Sequence, residues 1–187
     1  MTPYQLTEDE LRQEQRKVRR GSGAAAAVCA VVYGLAYLFM PRMLHFPDDL
    51  DSASTFWAGA ILFFVFWVMV DIGLVSRARR LSARDIRGSA YGPPSPRIAV
   101  YAAFLQNTLE QATVTIILLS AVVLLLRGQA MPFVVASVVF FAVGRVAFLR
   151  GYPGGAGTRA FGMALTALPS VVAFVVAAGA VIAHVLR

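Results

Sequence analysis

The sequence predicts an all-α integral membrane helical bundle, and three observations carry that prediction. Hydrophobic residues fill 58% of the 187 positions and charged residues only 14%, with a mean hydropathy of +0.68, a balance suited to lipid rather than water. Apolar stretches recur along the chain, each approaching or exceeding the roughly 20 residues that cross about 30 Å of hydrocarbon. The cations gather in the connections: 17 Lys and Arg against 10 Asp and Glu give a net charge of +7, and Lys17 is the one lysine. Arginine collected in loops points to membrane orientation, so no nucleic-acid partner is expected.

Taken in order, residues 1–22 form a charged cytoplasmic tail. Within it Thr7 and Glu10 of LTEDELRQEQRKVRR fit a capping box, which predicts a short polar helix leading into the membrane. Residues 23–40 make the first span. Basic residues precede it as in a signal peptide, but it is long and lacks a small-residue cleavage site, so it reads as a retained helix. The single cysteine, Cys29, excludes an internal disulfide and reads as a small buried thiol within AAAAVCAVV. Pro41 then punctuates the chain. Further spans follow at residues 56–75, 98–126, 130–149 and 160–186, separated by an arginine-rich connection ending in Pro93-Pro94, a short turn, and the glycine-rich YPGGAG.

Arginine placement orients these spans. Arg12, Arg16, Lys17, Arg19 and Arg20 precede the first, and Arg77, Arg79, Arg80, Arg84, Arg87 and Arg97 lie between the second and third. Both groups belong in the cytoplasm. Arg42 stands alone among Asp48, Asp49 and Asp51, and Arg127 alone in the next outer turn, so the N-terminus is expected inside and Arg187 outside.

That topology collects the expensive side chains at one end. Asp71, Asn107, Glu110, Arg145, Arg150 and Arg159 all fall toward the cytoplasmic side. An ionisable group inside a span usually marks a site or a water-filled path. The stretch LQNTLEQ at 105–111 is the densest case, although the third span is long enough for its first turns to protrude into the cytoplasm. Asn107, Glu110 and Gln111 are spaced to share a helix face, which suits either a polar ligand or hydrogen bonds to a neighbouring helix. Arg145, Arg150 and Arg159 offer forked donors that suit an anionic ligand or pairing with Glu110 and Asp71. Three arginines against two carboxylates favour the ligand. A pairing of Asp71 with Arg145, or with the RARR arginines, is expected. His45 and His184 are too far apart in this topology to form a metal site, and none is predicted. Trp57, Tyr33 and Tyr37 fit packing or interfacial roles, and Pro169 a tolerated kink.

LQNTLEQ, followed by GRVAFLRGY at 144–152 and TRAFGMALTALPS at 158–170, resembles the bacterial branch of the MAPEG family, the membrane-associated proteins of eicosanoid and glutathione metabolism. The resemblance covers residues 56–186 and makes residues 23–40 an extra helix added to a four-helix core. It implies a homotrimer with glutathione held between subunits near the cytoplasmic face. It also implies that Asn107 and Glu110 bind the tripeptide, with Gln111 and Arg150 beside them, that Arg145 and Tyr152 complete the pocket, and that Arg159 stabilises the thiolate. Two positions depart from the leukotriene synthase branch: Ala103 replaces an arginine and Phe148 a tyrosine. Losing a charge-assisted contact costs about 1.5–3 kcal/mol, roughly ten- to a hundredfold in affinity, unless Arg150 or Arg97 substitutes.

The resemblance therefore implies a glutathione-dependent transferase or peroxidase acting on a hydrophobic small molecule that arrives from the lipid bilayer. A non-catalytic binding or scaffold protein without glutathione is the alternative, and a transporter ranks behind both for want of a continuous polar path. The preference for arginine over lysine, with many alanines and glycines, suggests a GC-rich bacterial genome and an inner-membrane location.

Overall fold

The computed structural model describes residues 6–186, so Arg187 and its expected outer placement lie outside the described residues. The described chain is helical with short turns: α1 Glu8–Met43, α2 Leu50–Arg80, α3 Pro96–Leu126, α4 Met131–Gly151 and α5 Ala156–Val185. The capping box forms as the sequence predicts. The Thr7 amide donates to Glu10 Oε2 at 2.8 Å, and the Glu10 amide donates to Thr7 Oγ1 at 3.3 Å. Glu8, Asp9 and Glu10 complement the positive end of the helix dipole.

No break follows at residue 22. The polar segment and the first apolar stretch form one 36-residue helix, and Pro41 sits inside its last turns rather than in the connection. The continuity has a packing cause, because α1 lies along α5 from its polar end onward. A Cβ on Gly21 would stand 3.2 Å from Ala160 Cβ. Further along, Ala25, Cys29 and Ala36 are buried against Ala136, Phe140 and Leu165, a seam of small residues that lets the helices approach.

Asp49 caps α2 by accepting from the Ser52 amide at 2.8 Å. Proline at the start of α3 follows the Pro93-Pro94 pair, and Arg127, at φ 49°, ends the helix by reversing the chain. The region Pro96–Gly154 is 59 residues of nearly continuous helix, one of four such stretches long and apolar enough to cross a membrane. Straight, it would extend about 88 Å. Instead it folds back at Arg127, bringing the rings of Phe104 and Phe148 to 5.9 Å, so that α3 and α4 run antiparallel. Gly128 is required at that turn, since a Cβ there would stand 2.8 Å from the Pro47 carbonyl in the α1–α2 connection.

α4 lies at the centre, in contact with α1, α2 and α5, while α3 packs on α2 and α5. Phe64, Leu119, Met131 and Phe141 form the main core toward the α3–α4 turn. Outside, Leu62 is 70% and Ile117 62% exposed, an apolar exterior that suits lipid. Trp57 donates to Ser120 at 2.9 Å, and Tyr33 shares a 3.0 Å hydrogen bond with Ser137, so both serve packing.

Candidate functional site

A layer of polar groups crosses the bundle toward the α4–α5 turn. Arg145 is its centre. The residues Phe141, Arg145 and Phe148 lie on one stripe of α4 and all face inward, leaving Arg145 with 0% exposure. An arginine so placed needs fixed partners, and its terminal nitrogens have them, while its Nε–H is buried without one. Its Nη1 donates to Asn107 Oδ1 of α3 at 2.8 Å and its Nη2 donates to Thr166 Oγ1 of α5. Its guanidinium carbon stands 5.5 Å from the Phe141 ring and 5.1 Å from that of Phe148.

α4 and α5 can hold this geometry because glycines meet between them. A Cβ on Gly162 would fall 2.3 Å from the Phe148 amide nitrogen, and one on Gly144 2.9 Å from the Gly162 carbonyl. Arginine only donates, so Asn107 must turn its oxygen to Arg145 and its amide the other way. Asn107 Nδ2 accordingly reaches Met163 Sδ at 3.4 Å.

Beyond that amide lies a groove of ≈ 440 Å³, walled by Ala103, Asn107, Phe148, Tyr152, Arg159 and Met163, with Val18 and Ser22 of α1 closing one side. Arg159 enters from the first turn of α5. Its guanidinium carbon lies 4.5 Å from the Tyr152 ring centroid and 5.7 Å from that of Phe148. Among the described residues the one ion pair is Lys17–Glu14 at 2.7 Å, so no carboxylate neutralises Arg159. The groove therefore presents a cation and an amide donor beside an apolar wall.

Four of the residues singled out from the sequence, Asn107, Arg145, Tyr152 and Arg159, come together here. Glu110 does not: it is exposed on α3 and accepts from Gln106 Nε2 at 2.8 Å. Gln111 is half-buried and Arg150 exposed, and neither lines the groove. Arg97 lies in a different cleft, so neither it nor Arg150 replaces the cation missing at Ala103. The expected ion pair of Asp71 is not formed. Asp71 is buried at 1% exposure with neither carboxylate oxygen hydrogen-bonded, and its polar neighbours are Thr108 and, beyond ion-pair distance, Arg145. The terminal nitrogens of Arg145 are turned to α3 and α5, and its Nε–H is buried without a hydrogen-bond partner.

Thr166, Val18 and Ser22 were not singled out from the sequence. A hydroxyl one turn after Gly162 could have marked Thr166 as the arginine's acceptor. Val18 and Ser22 carry no chemical signal of their own.

A sequence model of the MAPEG family matches residues 54–179. The chain belongs to the MAPEG family. It is an integral membrane protein of that family, whose members generally use glutathione. The match begins after α1, so the helix that closes one side of the groove lies outside the matched region. No curated protein and no solved structure matches the chain.

Proposed function

We propose that this MAPEG protein is a glutathione-dependent membrane transferase or peroxidase acting on a hydrophobic electrophile or hydroperoxide. The observation that carries the proposal is Arg159, an arginine without a carboxylate partner, stacked on Tyr152 in a groove that also holds the Asn107 amide. The groove volume, ≈ 440 Å³, falls in the usual range for a small-molecule site.

Bound glutathione supplies a thiol, whose pKa near 8.5 leaves only a minor thiolate fraction at neutral pH. Arg159 favours the charged form and so raises the nucleophile's concentration. Asn107 holds the peptide's polar groups through Nδ2, and Arg145 is a positioning residue that fixes the asparagine's orientation. The Tyr152 ring holds the Arg159 guanidinium over its face, 4.5 Å from the centroid. Met163 and Phe148 keep the groove apolar on the side where a bilayer-borne substrate enters.

Glu110 and Gln106 are exposed on the lone chain, within a helix apolar enough to cross a membrane, where contact with lipid would be expensive. Covering by a neighbouring copy would remove that cost, and on this reading the protein is a homotrimer in which Glu110 serves the adjacent subunit's site. The arginine-rich α2–α3 connection supports a cytoplasmic N-terminus, and the preference for arginine over lysine with many alanines and glycines supports the bacterial inner membrane as the location. Ala103 in the groove wall favours a second reading, a binding or scaffold protein without turnover.

Conjugation of glutathione to a chloronitrobenzene by the purified protein separates the two. The enzyme's Arg159→Ala variant should lose on the order of a hundredfold in kcat/KM at neutral pH, with its rate–pH profile displaced to higher pH. Absence of wild-type turnover with both the chloronitrobenzene and a lipid hydroperoxide, or an unchanged profile in the variant, would sink the enzymatic reading.

A further inference from the structure

Away from the groove, the C-terminal end of α2 and the N-terminal end of α3 enclose a cleft of ≈ 440 Å³. Leu74, Leu81, Ile98 and Tyr101 give it apolar walls, and Arg77 and Arg97 stand on opposite helices as its cations. The Arg97 guanidinium carbon lies 5.7 Å from the Tyr101 ring centroid, which limits its freedom.

The connection that bounds the cleft is itself folded around its one carboxylate. Asp85 is buried at 5% exposure and accepts from Ser82 Oγ at 2.5 Å and from the Ser95 amide at 2.8 Å. Arg79 donates to the Ser89 hydroxyl at 2.9 Å and Arg84 to the Pro93 carbonyl at 3.4 Å, both neutral partners. Among the described residues no ion pair forms with any arginine of this region. Arg77 and Arg97 consequently stand at an apolar cleft without a carboxylate partner.

The same connection exposes Leu81 at 78%, Ile86 at 60% and Tyr91 at 79%. Large apolar side chains interleaved with arginine suit the headgroup layer of a bilayer, where each kind of side chain finds its own solvent. We propose that this cleft binds an anionic phospholipid, its phosphate held between Arg77 and Arg97 and its glyceryl and upper acyl carbons against Leu74 and Tyr101. Forked donors match phosphate oxygens. An isolated inorganic phosphate would leave the apolar walls unused, whereas a lipid covers both.

The test uses the delipidated full chain in a neutral detergent, with lipid retention read by native mass spectrometry. Dioleoylphosphatidylglycerol is compared with dioleoylphosphatidylcholine on three proteins: wild type, Arg77→Gln/Arg97→Gln, and Arg84→Gln/Arg87→Gln, which carries the same net charge as the first variant. A cation near a headgroup contributes about 1 kcal/mol, so the cleft variant should bind the anionic lipid roughly 25-fold more weakly, with an unchanged melting temperature without lipid. The control variant should differ from wild type by less than that for one arginine, about fivefold. If the cleft variant fails to fold, Arg77→Lys/Arg97→Lys keeps the charge, and loss of the fork should still weaken retention. Equal weakening by both glutamine pairs would overturn the site in favour of diffuse attraction. Equal retention of phosphatidylcholine would reduce it to an apolar groove, and displacement of lipid by inorganic phosphate at matched ionic strength would assign it to a soluble anion.

Discussion

Arg145 shows how a single residue organises the site without lining it. Its two terminal nitrogens tie α3 to α5 through Asn107 and Thr166, and it places a positive charge in the layer that holds the buried Asp71 carboxylate. Arg145→Ala should lower stability by about 2 kcal/mol or more, since two buried acceptors lose their donor, read as a melting shift in detergent. Adding Asp71→Asn should recover part of that loss, because the alanine variant leaves a buried carboxylate without a counter-charge. Strict additivity of the two substitutions would contradict the coupling. At this scale the sequence was legible where spacing and packing agree. Asn107, Arg145, Tyr152 and Arg159 converge as their motif positions suggest. Glu110 does not, because three residues along a helix is a rotation of about 60°, and Asn107 already stands at the edge of the packed face. The Asp71 pairing also failed: the terminal nitrogens of Arg145 are turned to Asn107 and Thr166 while its Nε–H has no partner, an orientation set by α3 and α5 that spacing along the chain does not reveal.

Among the helices, α5 depends on two close approaches. Gly162 meets α4 with no room for a side chain, whereas Gly179 faces open space. Gly162→Ala should destabilise by about 1–3 kcal/mol and weaken ligand binding by displacing Thr166 from Arg145, while Gly179→Ala should leave binding unchanged and not lower stability. A thermal melt of the two variants checks the contrast. At its other approach, the N-terminal end of α5 meets α1 outside the apolar stretch. The Gly157 amide donates to Glu14 Oε2 at 2.9 Å and Lys17 Nζ to Oε1 at 2.7 Å. The Lys17 hydrogen bond, and after it the Gly157 amide, hold the Glu14 carboxyl below its ordinary 4.5. A depressed carboxylate stabilises the docked state above its ordinary value, and that contribution disappears as pH falls through the folded value. Spin labels at positions 12 and 158, in a Cys29→Ala background, should separate as pH drops below about 4.5, and Glu14→Gln should abolish the pH dependence. The helical elements were legible from their hydropathy, and the capping box from two residues. The continuity of α1 was not, because the contact of Gly21 with Ala160 that joins its polar and apolar parts to α5 carries no signal in the sequence.

For the whole molecule, hydropathy and arginine placement sufficed for a helical membrane bundle, since a chain in lipid must satisfy its backbone internally. They could not reveal that α1 lies over the groove, because that contact rests on unremarkable residues such as Val18 and Ser22. The central claim is that the groove beneath α1 binds glutathione through Arg159 and Asn107. Calorimetric titration of glutathione into the detergent-purified protein tests it most directly. The expected result is saturable binding that Arg159→Ala and Asn107→Ala each weaken about tenfold or more, with the fold retained. Absence of saturable heat at millimolar glutathione, or binding that neither substitution alters, would contradict the account.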